Sequence, residues 1–203
     1  AVVSETWRFR ASVDGRDIGR HVFEVVTAPS GTTVASRADL EAKVLFFQAF
    51  AYQHRSDERY DNDGCLLSIR SRTQTRNESW RLDGRRAGSG FEFTNGPMQA
   101  IDDGCVGTFT YWNEDWLQRH RMMNSQTGNV IAVEVSREGD ESPDGRPAIR
   151  SKIVGEGIDI AVWHADEKWV GLQSALANGK VLTYTLQSYD VARVPDSRTA
   201  LAH

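Results

Sequence analysis

The 203-residue sequence lacks the features of a helical membrane protein and of a nucleic-acid-binding protein. Its longest apolar run, Val44–Phe47, is interrupted at Gln48, whereas a membrane-crossing helix needs ~18 apolar residues. The net charge of −4 provides no overall positive field for a phosphate backbone. We therefore expect no transmembrane segment and no nucleic-acid partner.

Motifs for metals, nucleotides and nucleophilic catalysis are also missing. The sequence contains no Walker loop, no dinucleotide fingerprint, no Gly-x-Ser-x-Gly and no His-Glu-x-x-His. Four of the five histidines, His21, His120, His164 and His203, are scattered along the chain. We therefore expect neither a metal nor a cofactor.

The composition that is present is that of a folded globular protein. Hydrophobic residues make up 39% and charged residues 26% of the chain, far from the composition of disordered proteins. This predicts one domain over residues 1–203, with flexibility confined to 1–4 and 195–203. The sequence starts at Ala1 rather than at Met, without a charged and then apolar leader, so we expect the mature form of an exported protein.

The only two cysteines stand in matching surroundings. Cys65 and Cys105 each follow Asp-Gly, and each precedes a strand-like run. In an oxidising compartment, this similarity favours a disulfide that closes a long loop. The alternatives are two buried thiols or, with less support from the spacing, a metal site.

Alternation of apolar and polar residues dominates the chain and predicts antiparallel β structure. Trp7, Phe9 and Ala11 share one parity, and the run ends at a turn signal, Asp14-Gly15. Similar runs follow at short intervals as far as Asp190. The pattern predicts a strongly curved sheet or a β-barrel of about a dozen strands.

One segment departs from this alternation. Residues 113–123 combine an acidic start with Trp116, Leu117 and Met122 and with basic residues late, which predicts a short amphipathic helix. Such a helix either covers one end of a barrel and shapes a cavity or merely connects two strands.

The strand Phe50–Tyr60 carries the most informative pattern. Its odd positions are polar from Gln53 onward, so the even positions, which include Tyr52, His54, Glu58 and Tyr60, are expected to face the interior. One interpretation is a polar patch in a ligand cavity, with His54 and Glu58 as proton carriers if the protein is an enzyme. The other is a set of satisfied interior polar residues, since His54 and Glu58 lie ~13 Å apart along a strand and cannot touch.

A second candidate group frames the segment 113–123. Tyr111 and Trp112 offer apolar faces with polar handles, and Asn124 and Gln126 offer hydrogen-bond donors and acceptors, a mixture suited to an amphipathic ligand. The structural alternative is that Asn124 caps a turn and the aromatic rings fill the core.

Several short sequence segments, taken together, resemble those of a family of exported bacterial proteins described as a domain of unknown function. They are Val13–Gly19, His54–Glu58, Asp63–Leu66, Phe109–Trp112, Asn124–Gly128 and Gly179–Tyr184. The resemblance implies a periplasmic location and a curved or barrel-like antiparallel sheet similar to lipoprotein carriers or lipocalins. It implies no site residues.

Three functions remain open at this point. The first is a periplasmic or secreted protein that binds a lipid-like or amphipathic small molecule in a barrel cavity. The second is an enzyme that applies general acid–base chemistry to such a molecule through His54 and Glu58. The third is an envelope scaffold or assembly protein that uses an exposed apolar patch. Protein partners are not predicted.

Overall fold

The computed structural model describes residues 1–44, 47–101, 104–140 and 145–194, and at 43, 44 and 47–49 only the backbone. These residues are almost entirely extended, so the all-β prediction is confirmed. The strands are β1 (Val2–Val13), β2 (Arg16–Ala28), β3 (Gly31–Val44), β4 (Phe47–Tyr60), β5 (Leu66–Thr75), β6 (Ser79–Ala87), β7 (Gly90–Phe93), β8 (Gln99–Ala100), β9 (Gly107–Thr108), β10 (Arg121–Met123), β11 (Val130–Asp140), β12 (Ile149–Gly155), β13 (Ile158–Ala165), β14 (Lys168–Ala175) and β15 (Val181–Val194).

These fifteen strands form one sheet, in the order β8-β7-β6-β5-β4-β3-β2-β1-β15-β14-β13-β12-β11-β10-β9. The ladders are antiparallel, with the exception of the parallel β9–β10 pair. Strands β8 and β9 are the two edges, and no ladder joins them within the described ranges. The sheet is therefore barrel-like, but hydrogen bonds do not close it into a barrel.

Strong curvature brings distant strands of this sheet together. Phe23 on β2 and Trp169 on β14 are three ladder steps apart, which would be about 14 Å on a flat sheet. Their ring centroids are nevertheless 4.9 Å apart, and Phe9 of β1 lies 4.4 Å from the same indole. One face of the sheet is consequently concave and encloses the core.

The first hairpin shows how the local sequence sets the strand pairing. Asp14 and Gly15 both adopt positive φ, 48° and 79°, as a two-residue hairpin turn of the primed type requires. Glycine and aspartate accept this conformation more easily than other residues. The predicted turn between the first two strands is confirmed.

The concave interior is filled in large part by the described residues of the stretch 101–123, which follows the edge strand β8 and includes β9 and β10. Its buried residues are Ile101, Val106, Tyr111, Trp116, Met122 and Met123. The Cys65–Cys105 disulfide and a hydrogen bond from the Leu66 amide to the Val106 carbonyl (2.8 Å) hold this segment against the start of β5. The predicted disulfide is confirmed.

The prediction of a helix near 113–123 is wrong. Only a single 3-10 turn forms, at Asp115–Gln118, and the extended backbone of Arg119 ends it. Residues 121–123 are instead strand β10, which pairs with β9 and β11. The helical pattern arose because Trp116, Met122 and Met123 are all buried in the filled interior, where position in the core, rather than one helix face, sets their burial.

Flexibility is predicted for both ends of the sequence, and the structure describes only the first of them. Val2–Ser4, for which flexibility is expected, extend β1 and pair with residues 192–194 of β15. Residues 195–203, the other stretch expected to be flexible, lie outside the described residues. In the parts of the chain that the structure describes, no helix has the length and apolar character to cross a bilayer.

Candidate functional site

Strand β4 places a row of polar side chains on the concave face. Its even positions from His54 to Tyr60 are buried, and its odd positions from Gln53 to Arg59 are exposed, as the alternation predicts. Tyr52 is half-buried, and Phe50, at the end of the row, is 41% exposed. The row thus leads from an open end of the sheet into the interior.

The His54 imidazole is held by two hydroxyl groups from different elements. Its Nδ1 lies 2.7 Å from Thr73 Oγ1 on β5, and its Nε2 lies 3.1 Å from Ser125 Oγ in the loop after β10. Burial lowers the pKa of His54 to about 4, so the ring is neutral at physiological pH. The same loop reaches Tyr52, whose hydroxyl donates to Gln126 Oε1 at 3.3 Å.

A second histidine, which the sequence analysis did not select, lies beside this group. His21 Nδ1 is 2.9 Å from the Tyr184 hydroxyl, and His21 Nε2 is 2.6 Å from Ser36 Oγ. Its ring stacks on Phe23 at 4.0 Å. Burial, followed by the proximity of His54, lowers the pKa of His21 to about 3. We call His21, Ser36, Tyr52, His54 and Tyr184 the histidine layer.

The signal for His21 was present in the sequence. His21 shares its parity with Phe23 and Val25, so a face of β2 that holds buried aromatic and branched residues also holds an imidazole. Tyr184 carried no comparable signal, because its contact with His21 depends on the pairing of β1 with both β2 and β15.

A cleft of about 470 Å³ opens above the histidine layer at one end of the sheet. The β1–β2 turn, the β3–β4 region and the β14–β15 turn form its walls. Its apolar lining is Val13, Ile18, Leu40, Ala42, Phe50, Leu176 and Leu182, and its charged rim is Arg16, Asp17, Glu41 and Lys180. We call it the mouth cleft.

The histidine layer packs directly against residues that line the mouth cleft. Ile18 and Leu40 belong to a small core cluster against which the rings of Tyr52 and Tyr184 pack. Two alanines, Ala11 and Ala38, complete that cluster, so the wall carries small side chains at this depth. The two phenols therefore lie directly behind the apolar wall of the cleft.

Farther along β4, Glu58 lies in a separate set of contacts that we call the Glu58 network. The Glu58 carboxylate accepts hydrogen bonds from the hydroxyls of Tyr60 (2.6 Å), Thr108 (2.9 Å) and Ser56 (3.1 Å). Burial raises the pKa of Glu58, while these three hydroxyls and the charge of Arg119 oppose the rise. Both oxygens are thus occupied by the protein's own donors.

Arg119 fixes the surroundings of this network. Its guanidinium donates to the Gly64 carbonyl at 2.5 Å, next to the disulfide, and its charge acts on Glu58 and Tyr60. Trp112 packs its ring against Tyr60 at 5.6 Å, edge to face. This arrangement is that of a structural junction between β4 and the segment that fills the interior.

Tyr111 occupies a third position, in the core beneath the histidine layer. Its ring is fully buried against Trp116 and Trp169, at 4.9 and 5.2 Å. Within the described residues its hydroxyl has no hydrogen-bond partner. The nearby Tyr184 adds to the effect of burial in raising the pKa of Tyr111, so the two phenols are neighbours.

The structure therefore divides the predicted site residues into groups. Tyr52, His54 and Gln126 come together under the mouth cleft, whereas Glu58, Tyr60 and Trp112 lie together elsewhere. Asn124 caps a turn, since its Oδ1 accepts from the amides of Gln126 (2.9 Å) and Thr127 (3.3 Å). The proposed role of each residue in ligand binding stays a prediction.

The other clefts of the molecule have fewer features of a ligand-binding site. Two clefts of about 440 and 500 Å³ lie along the outer face of the sheet, and their walls carry mostly exposed polar and charged side chains such as Arg59, Arg70 and Gln53. Among the described residues, no group of three or more His, Cys, Asp or Glu side chains is placed to hold a metal ion.

Comparison with known proteins places this fold among domains of unknown function. Residues 9–187 match the family model described as a domain of unknown function, DUF6134. The comparison with curated proteins finds no match. Among solved structures, the crystal structure of a beta-barrel-like protein of DUF1849 from Brucella abortus is similar, with a TM-score of 0.70 and 12% identity over 94% of this chain and 98% of that one. This likeness concerns the fold alone.

Proposed function

The chain belongs to the DUF6134 family, and from that premise we propose that it binds an amphipathic small molecule in the mouth cleft. The observation that carries the proposal is an apolar cleft of about 470 Å³ whose wall packs against the phenols of the histidine layer. Pockets for small ligands typically measure ~300–1,000 Å³ and combine apolar walls with a few polar groups that orient the ligand.

The apolar lining explains what would draw such a molecule in. Ile18 and Leu40 are buried, whereas Phe50 remains 41% exposed at the entrance. A ligand chain that covers this surface removes it from water, which stabilises the complex by roughly 25 cal/mol for each Å² of apolar area. The phenols of Tyr52 and Tyr184 then meet the polar end of the ligand.

The contacts of the polar residues favour binding over acid–base catalysis. Both ring nitrogens of His54 are engaged by hydroxyl groups, and both oxygens of Glu58 accept hydrogen bonds within their own network. A general acid or base must come within hydrogen-bond reach of the substrate proton. Among the described residues, His54 and Glu58 share no hydrogen-bond partner.

We further propose that the protein works in the periplasm or outside the cell. The support for this location is the Cys65–Cys105 disulfide, because such bonds persist in oxidising compartments. Removal of a signal peptide stays a prediction.

A fluorescence titration with N-phenyl-1-naphthylamine, an uncharged apolar probe, tests the proposal. The probe should gain fluorescence on binding and raise the melting temperature, because a ligand of the native state stabilises it. In the double variant Phe50→Glu and Leu176→Glu, two charges in the apolar wall should weaken binding by at least about tenfold.

The control is Val191→Glu, which adds a charge at a side chain that is 49% exposed on β15 and does not line the cleft. It should bind the probe as the parent protein does. Equal binding by the double variant and the parent would contradict the assignment of the ligand to the mouth cleft, and failure of the parent to bind would contradict the proposed function.

A further inference from the structure

We propose that the polar end of the ligand is an uncharged group with an acceptor oxygen, such as the carbonyl of an ester or a ketone. It would accept hydrogen bonds from hydroxyl groups in and under the histidine layer while the apolar part fills the mouth cleft. This inference rests on the proposed function, because it concerns the same cleft and names the chemistry of its occupant.

The first argument is a count of hydrogens around His21. A neutral imidazole carries one N–H, and Tyr184 and Ser36 carry one O–H each, which makes three hydrogens for two contacts. If Nδ1 carries the hydrogen, it donates to Tyr184 and Ser36 donates to Nε2, so the Tyr184 hydrogen is left over. In the other tautomer, Tyr184 donates to Nδ1 and the Ser36 hydrogen is left over. Either way, one hydroxyl hydrogen finds no acceptor within this group of three residues.

Tyr111 supplies a second hydroxyl of this kind. It is completely buried, has no partner among the described residues and lies near Tyr184. Buried polar groups are almost always paired, and an unpaired one destabilises the fold. Among the described residues these two donors have no acceptor, and they lie in the part of the core behind the mouth cleft, where an oxygen atom of a ligand that reached them would accept hydrogen bonds.

The second argument is charge. The histidine layer contains no cation, because burial keeps His21 and His54 neutral. A carboxylate at this depth would lose its hydration without gaining a counter-charge, whereas a carbonyl loses much less. The cations of the cleft, Arg16 and Lys180, stand at its rim beside the acidic Asp17 and Glu41, which offset them. The layer thus matches an acceptor that is neutral.

Three ligands of one chain length test both arguments through displacement of N-phenyl-1-naphthylamine at pH 8. They are methyl decanoate, which has a neutral acceptor, decanoate, which has a charged one, and decane, which has none. Methyl decanoate should bind at least about tenfold more tightly than either of the others, since each 1.4 kcal/mol is a factor of ten.

The outcomes separate this inference from the proposed function. If decanoate binds as tightly as the ester, the neutral head group is wrong, and if decane does so, the acceptor is wrong, although the cleft still binds ligands. If the parent protein binds none of the three and does not bind the probe, both proposals fail.

The variant Tyr111→Phe tests whether the Tyr111 hydroxyl contacts the ligand. If this hydroxyl had only a structural role, its loss would not change the ratio of ester binding to decane binding. Loss of the hydroxyl should weaken binding of methyl decanoate by about fivefold, which corresponds to one hydrogen bond, and leave decane binding unchanged. The ligand-free protein should keep or gain thermal stability, because an unpaired buried group is removed. Tyr189→Phe, at a phenol that hydrogen-bonds Glu5, is the matched control and should leave the ester-to-decane ratio unchanged. An unchanged ratio in Tyr111→Phe would contradict the placement of its hydroxyl in the site.

Discussion

The histidine layer and the Glu58 network are two polar groups on the same strand, and they differ in how completely the protein satisfies them. Around Glu58, three hydroxyls donate to the two carboxylate oxygens, and Thr110 lies 3.1 Å from Thr108 to continue the chain of contacts. In and under the histidine layer, at least two hydroxyl hydrogens find no acceptor among the contacts of the described residues, and a cleft lies beside this layer.

This difference shows that buried polarity alone does not identify a binding site. Both groups contain residues with strongly shifted pKa values, and both combine aromatic rings with hydroxyls. Only the group at the mouth keeps hydrogen-bonding capacity that the protein leaves unused. Closed networks of this kind stabilise a fold, and incomplete ones leave room for a ligand or for water.

Replacement of Glu58 by alanine should cause the largest change. Three buried hydroxyls would lose their common acceptor and the charge of Arg119 would lose its nearby carboxylate, which should lower the free energy of unfolding by about 3 kcal/mol. Urea unfolding followed by circular dichroism measures this. Asp57→Ala, at the exposed neighbour, should stay within about 0.5 kcal/mol of the parent. A loss below about 1 kcal/mol for Glu58→Ala would contradict the closed network.

The two buried phenols provide the next comparison. Tyr60→Phe removes a hydrogen bond to a carboxylate and should lower the free energy of unfolding by about 2 kcal/mol, whereas Tyr111→Phe removes an unpaired hydroxyl and should cost nothing. Denaturant unfolding of both variants under the same conditions measures which of them has the lower free energy of unfolding. Equal losses in the two variants would mean that Tyr111 is also satisfied in solution.

The two regions should also respond to pH in opposite directions. The pKa of His54 falls from 6.5 to about 4 on folding, so the unfolded chain binds more protons and stability decreases as the pH falls below about 6.5. Between pH 7 and pH 5 this should cost about 1–2 kcal/mol, and His54→Gln should reduce the loss. Glu58, with its raised pKa, contributes the opposite trend, because its stabilisation is lost as the pH rises through that pKa.

Melting temperatures measured from pH 8 to pH 4.5 test whether His54 lowers the stability of the protein as the pH falls. The control is His120→Gln, at an exposed histidine, which should keep the pH profile of the parent protein. If His54→Gln melts with the same pH dependence as the parent, the imidazole is not held neutral in the folded state.

Sequence reasoning succeeded where the relevant physics is local. The alternation from Tyr52 to Tyr60 predicted which side chains face inward, because successive residues of a strand point to opposite faces. The matching Asp-Gly contexts of Cys65 and Cys105 predicted the disulfide. Both are properties of short segments and need no knowledge of which strands are neighbours.

Sequence reasoning failed for contacts that depend on which strands are neighbours in the sheet. Tyr184 reaches His21 because β15 pairs with β1, and Thr108 reaches Glu58 because the segment after β8 folds into the concave face. The pattern around Trp116 suggested a helix because its apolar residues happen to have the spacing of one helix face. In the structure these residues are buried because this segment fills the interior. The sequence therefore named Tyr52, His54 and Glu58 correctly as interior residues, and it could not assign them to separate groups.

The pairing of β1 with β15 has a consequence for how the chain acquires its shape. Val3 lies opposite Arg193, and Ser12 lies opposite Thr183, so the middle strand of the sheet, β1, and its neighbour β15 come from opposite ends of the described chain. Contacts of such large sequence separation form only after a costly loop closure, which slows folding. The central ladder can therefore assemble only after β15, the last of the described strands, has been synthesised, so the centre of the sheet forms late although β1 is made first.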